Sequence, residues 1–112
     1  MTQNRLNAYH IMWLFVFFDL PVLTKKEQKT ATIFRKNLLK AGFVMMQYSV
    51  YIRHCASNES MEVHKKQVKA FIPSTGKVSI LSVTDKQYGN MVTVFGKSAK
   101  KEIKAPMQLE LF

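Results

Sequence analysis

The stretch IMWLFVFFDLP, running from Ile11 to Pro21, decides how the rest of the chain is read. Its first eight residues, Ile11 to Phe18, are all apolar and carry no helical period, so they predict a strand buried on both faces. The run is far short of the roughly 20 residues that a spanning helix needs. It ends in Asp19, Leu20 and Pro21 rather than in a small-residue cleavage site, so it implies neither membrane insertion nor export.

Pro21 breaks the strand, and Thr24 with Glu27 three residues on forms a capping box that opens a helix; Gly42 closes it. At about 100° per residue, Ala31, Phe34 and Leu38 fall on one side of that helix. Lys25, Lys29, Lys36 and Lys40 fall nearly opposite. The segment Phe43 to His54 (FVMMQYSVYIRH) is rich in aromatic and β-branched residues and predicts a strand, broken near Gln47. Ser57 and Asn58 start a second helix with Met61, His64, Val68, Phe71 and Ile72 on one face, ended by Pro73 and Gly76. Val78 to Val83 and Met91 to Phe95 predict two more strands, joined by a turn that contains Asp85 and Gly89.

This order is β-α-β-β-α-β, the split βαβ or ferredoxin-like arrangement of the α+β class. It predicts four antiparallel strands with both helices on one face of the sheet and the other face open. Residues 1–10 are polar and without period and are expected to form a loose extension to a domain spanning 11–96. Residues 97–112 hold a basic linker, Lys97 to Lys104, and then Met107, Leu109 and Leu111 alternating with Gln108 and Glu110. That alternation predicts a short terminal strand, able to pair with its own sheet or with a neighbour's exposed edge.

The 112 residues are the length of one domain, and 47% hydrophobic content is that of a chain that folds. Lys and Arg number 17 against 7 Asp and Glu, a net charge of +10 that calls for an anionic partner. The basic excess is placed: residues 24–40 hold Lys25, Lys26, Lys29, Arg35, Lys36 and Lys40 against Glu27 alone. Pairing within the helix cannot neutralise that face, which predicts contacts to a nucleic-acid backbone. A membrane surface would want an exposed apolar face beside the lysines, and the helix has none to spare once Ala31, Phe34 and Leu38 are buried. The single Cys55 excludes an intrachain disulfide and a cysteine-based zinc site, and fits a reducing, cytoplasmic setting.

Asp19 is the candidate for chemistry, as a carboxylate at the carboxyl end of a central apolar strand. It either caps the turn made with Pro21 or serves as a metal ligand. One carboxylate holds magnesium poorly, so the second reading requires a two-fold related Asp19 and hence a dimer. The histidines assemble into nothing: His10 lies in the extension, His54 ends a strand, and His64 lies on the apolar face of the second helix. His54 and Cys55, as strand neighbours, point to opposite faces and cannot act as base and nucleophile. No GxGxxG, P-loop or nucleophile elbow is present, and the seven methionines are scattered core filler.

The run Val16-Phe17-Phe18-Asp19-Leu20-Pro21, the basic helix up to Gly42-Phe43, and Gln47-Tyr48-Ser49-Val50-Tyr51 together resemble the family of the second CRISPR-associated protein. This is the small dimeric subunit that accompanies the CRISPR integrase, and the similarity covers about Ile11 to Phe95. The resemblance implies a ferredoxin-like homodimer in which Asp19 from each protomer faces a shared magnesium ion. It also implies that the strand carrying Met107, Leu109 and Leu111 adds to the partner's sheet. Many members have Tyr before the aspartate where this chain has Phe18, so a role for that hydroxyl is absent here. The ten-residue extension also departs from the family pattern, in which the first strand begins almost at the initiator. The Phe-Phe-Asp-Leu-Pro form looks most like members from systems with a single large effector nuclease.

Two functions follow from the resemblance. One is a scaffold that bridges integrase dimers and holds a DNA fragment during spacer acquisition. The other is a magnesium-dependent endonuclease that cleaves phosphodiester bonds in RNA or DNA through paired Asp19. An RNA-binding module of the same topology is a third reading, against which stands the absence of any aromatic in Val78 to Val83. An acylphosphatase-like enzyme would need a phosphate-cradling loop, and Leu20-Pro21-Val22-Leu23 is apolar.

Overall fold

Alternation along one strand builds the centre of the molecule. In a computed structural model that describes residues 10–96, β1 runs Met12–Asp19. Met12, Leu14, Val16 and Phe18 point to one face and are buried there, while Trp13, Phe15, Phe17 and Asp19 point to the other. Burying each of these large apolar side chains contributes about 1.5–3 kcal/mol as an upper estimate. The expectation of burial on both faces holds for Phe15 but lapses at Phe17, which is 38% exposed.

Helix α1 spans Lys25–Lys40 and begins as the capping box predicts. The Glu27 amide donates to Thr24 Oγ1 at 3.1 Å, and Glu27 Oε1 accepts from the Thr24 amide at 3.0 Å. Its buried residues are Ala31, Phe34 and Leu38, the three that the period placed inward. Ala41 caps the end, and Gly42 follows with φ +91°, a conformation that an L side chain rarely adopts. A Cβ at Gly42 would also collide with the Arg53 guanidinium packed over it.

The segment read as one broken strand is a hairpin. β2 (Val44–Gln47) and β3 (Val50–Cys55) pair antiparallel around Tyr48 and Ser49, with Ser49 at φ +71°. α2 follows over Asn58–Ala70, N-capped by Ser57, with Met61 and Val68 buried. Ile72 falls beyond the helix end and is 40% exposed, so it is not part of that apolar face. β4 runs Lys77–Thr84. The sheet order β2-β3-β1-β4 is antiparallel throughout, with β1 and β3 central. Phe34 and Leu38 of α1 and Met61 and Val68 of α2 share one buried cluster with the inward residues of β1, so both helices cover the same face. The fold is ferredoxin-like.

The Met91 to Phe95 segment is not a strand, and the count of four is completed instead by the hairpin. The physical reason lies just before it. Thr84 and Gln87 form a second capping box, which winds the expected turn into the short helix α3, Asp85–Gly89, so no tight hairpin turn returns the chain to β4. Val92 and Val94 are left 83% and 84% exposed. The far face of the sheet is therefore partly covered rather than open: Tyr88 of α3 stacks on Trp13, with ring centroids 3.9 Å apart, and Trp13 Nε1 donates to Asp85 Oδ1 at 2.8 Å. Residues 1–9 of the expected extension, the linker Lys97 to Lys104, and Met107, Leu109 and Leu111 lie outside the described residues.

Candidate functional site

Strand parity brings Asp19 out on the face away from the helices, at the end of β1 remote from α3. Its register partner on β4 is Lys77. Around it Phe17, Phe18, Ser49, Val50, Lys77 and Ser79 line a shallow depression of about 370 Å³. The oxygen donors there, the Asp19 carboxylate with the hydroxyl-bearing Ser49 and Ser79, are of the hard type that magnesium takes. They nevertheless amount to one carboxylate per chain. Among the described residues no three His, Cys, Asp or Glu come together to hold a metal, so the donor set fits a hard cation only if a second copy contributes.

The position of Asp19 is held from behind. Gly76, at φ +89°, packs so closely that a Cβ there would lie 2.9 Å from the Asp19 carbonyl oxygen and 2.6 Å from Leu20 Cδ2. The Phe18 amide, one residue earlier, donates to the Ser49 carbonyl at 3.1 Å and ties the β2–β3 turn to the end of β1. Asp19 does not bond the Leu20–Pro21 turn through any described hydrogen bond, so the capping alternative finds no partner among the described residues. Phe17, Val44 and Leu81 are exposed apolar residues on the same face, so Asp19 and Lys77 are charged positions beside apolar surface, with Ser79 and His54 as further exposed polar residues of that face.

The basic residues of α1 divide in two. Lys25, Lys26, Lys29, Lys36 and Lys40 are exposed, and among the described residues none has a carboxylate within 4.0 Å, so their charge faces solvent as the imbalance predicts. Lys25, Lys29, Lys36 and Lys40 fall within an arc of about 60° on an ideal helix. Arg35 departs from the stripe. It is half-buried on the helix side of the sheet, its guanidinium carbon 4.5 Å from the Tyr48 ring centroid and 5.3 Å from that of Phe18, and its Nε is buried with no hydrogen-bond partner among the described residues. Predicted as a backbone contact, Arg35 is built into the fold through two aromatic rings.

The histidines stay apart. His10 is exposed, His54 sits edge-on to Trp13 at 5.2 Å, and His64 is half-buried with Nδ1 3.2 Å from Gln67 Oε1. Sequence reasoning missed Ser49, Lys77 and Ser79 as neighbours of Asp19. Their only signal is the pairing register, which brings residues distant in the chain onto one rung. Among the described residues, no helix is long and apolar enough to cross a membrane.

A family model described as CRISPR associated protein Cas2 matches residues 12–91. The chain is 50% identical over 109 residues to the CRISPR-associated endoribonuclease Cas2 of Flavobacterium psychrophilum, covering 97% of this chain and 95% of that one. It is 48% identical over 101 residues to the protein of the same name from Parvibaculum lavamentivorans, covering 90% and 100%. With the one from Paracidovorax avenae it shares 47% over 107 residues, covering 96% and 99%.

Proposed function

This chain belongs to the CRISPR-associated Cas2 family, and from that premise we propose that it is a homodimeric adaptation subunit acting in the cytoplasm. It holds a DNA fragment along the lysines of α1 and bridges dimers of the CRISPR integrase during acquisition of new spacers. The observation that carries this reading is the division of labour between two surfaces. Five exposed lysines, none with a carboxylate within 4.0 Å among the described residues, stand on a helix, while on the opposite face of the sheet Phe17, Val44 and Leu81 expose apolar surface, with Asp19, Lys77 and Ser79 near one end and His54 toward the other. The first surface suits a phosphate backbone and the second suits another copy of itself.

In that dimer Asp19 from each protomer would hold a magnesium ion between them, with Ser49 and Ser79 beside it. A bound magnesium lowers the pKa of coordinated water and screens phosphate charge. The chain's own residues do the rest: the lysines of α1 hold the backbone, and Lys77 adds a cation next to the carboxylate. A second reading is hydrolysis of RNA or DNA at this site, favoured by the relatives named endoribonuclease. The residues lining the depression include no histidine, and Asp19 would be occupied by the cation, so no group there serves as general base. Unaided turnover is therefore slow, and the scaffold reading is preferred.

Asp19→Ala separates the two. Spacer integration in cells should persist in the variant while any magnesium-dependent nuclease activity of the purified protein disappears. Loss of integration, with the dimer intact and DNA still bound, would overturn the scaffold reading.

A further inference from the structure

We propose that Arg35 is a positioning residue for Asp19: stacked on Phe18 and Tyr48 from the helix side of the sheet, its guanidinium fixes where the Asp19 carboxylate stands on the opposite side. The inference rests on reading Asp19 as the cation-holding residue. Three observations converge on it. The guanidinium lies over both rings, 4.5 Å from Tyr48 and 5.3 Å from Phe18, with its Nε buried and, among the described residues, neither a hydrogen-bond partner for that Nε nor a carboxylate within 4.0 Å. A cation so placed is held by aromatic faces rather than by anions.

Phe18 and Asp19 are successive residues of β1, so their side chains leave the strand on opposite sides and share one peptide link. What fixes the Phe18 ring fixes the backbone from which Asp19 departs. Phe18 is gripped besides by Phe34, edge-on at 5.0 Å, and by Tyr51 at 5.6 Å.

The other ring belongs to the hairpin turn. Tyr48 is 74% exposed, so burial does not hold it, and Ser49 next to it sits at φ +71° without being glycine. Such a conformation persists where its surroundings over-determine it. Two anchors do so here: the Ser49 carbonyl accepts from the Phe18 amide at 3.1 Å, and the Tyr48 ring lies against Arg35. Ser49 lines the same depression as Asp19. One guanidinium thus joins the two backbone segments that frame the site, and does so through the sheet from the side where the helices pack.

The competing role is a plain phosphate contact, as expected of a basic residue on this helix. Lysine keeps the charge but loses the planar stack, so Arg35→Lys distinguishes the two. Tyr48→Ala removes one ring at an exposed position and serves as the second variant, one that leaves the core intact. Isotope-labelled full-length protein would be followed by amide hydrogen exchange, by the Asp19 carboxyl carbon signal during magnesium titration, and by the salt dependence of duplex DNA binding.

In both variants the Phe18 amide should exchange on the order of tenfold faster, with Leu14 unchanged. The magnesium midpoint at Asp19 should rise several-fold, and Arg35→Lys should leave the salt slope as it is. Unchanged Phe18 exchange in both variants would overturn the proposal. So would an Arg35→Met variant whose salt slope falls by about one while its magnesium midpoint holds. Faster Phe18 exchange together with a wild-type Asp19 signal blind to magnesium would support the clamp and overturn the cation reading instead.

Discussion

Asp19 and Lys77 are register partners on the last rung of the β1–β4 ladder, yet no ion pair within 4.0 Å joins them. The lysine is therefore a fixed positive charge beside the proposed cation site rather than a satisfied partner of the carboxylate. Replacing it by Lys77→Met should tighten magnesium binding about two- to fivefold at low ionic strength, the scale of an exposed charge pair. Titration calorimetry would register the gain, and 0.5 M salt, about the level at which screening acts within a few ångströms, should remove most of it. Unchanged affinity at low salt would place Lys77 too far from the cation to matter.

Gly76 and Gly89 should respond oppositely to alanine. Gly76 has φ +89° and no room for a Cβ between Leu20 and the Asp19 carbonyl, whereas a Cβ at Gly89 meets nothing within 4 Å. Gly76→Ala should cost about 1–3 kcal/mol. Gly89→Ala, at the end of α3, should be neutral or stabilising by up to about 1 kcal/mol. Thermal unfolding of the two variants checks this, since about 1 kcal/mol moves the midpoint by roughly 4–8 °C in a domain of this size.

Leu81, directly opposite Phe15 on the face away from the helices, is 49% exposed. A charge there need not disturb the protomer but would stand in the middle of the surface assigned to dimerisation. Leu81→Glu should change protomer stability by no more than about 0.5 kcal/mol while shifting the protein to monomer in light scattering. A Leu81→Glu protein that stays dimeric would put the interface elsewhere.

Alkaline pH should weaken the fold through two groups. Burial pushes the Cys55 thiol above its ordinary 9.0, opposed in part by the Arg53 charge, and burial followed by Asp85 pushes Tyr88 above its ordinary 10.0. Both acids are held neutral in the native state. The stability they contribute is fully present below those ordinary values and is lost as the pH rises through the raised native ones, because the unfolded chain gives up its protons first. Unfolding midpoints should fall above pH 9.0, and Cys55→Ala should flatten the first part of that decline.

Much of this molecule is legible from the order of its residues. The capping box at Thr24 and Glu27, the inward set Ala31, Phe34 and Leu38, and Asp19 at the end of an apolar strand all rest on chemistry within a few positions. Local period and capping geometry are short-range, so one sequence carries them. The misreadings have the same origin. A break near Gln47 is legible, but whether the chain there kinks one strand or turns a hairpin depends on Ser49 reaching φ +71°, which the Phe18 amide and the Arg35–Tyr48 contact support from other elements. Met91 to Phe95 has the alternation of a strand, and only the winding of Asp85–Gly89 into a helix over Trp13 keeps it out of the sheet. Register alone, fixed by packing across the sheet, brings Lys77 and Ser79 beside Asp19. Charge and period told which residues could bind an anion or a cation; the pairing of distant strands decided which of them meet.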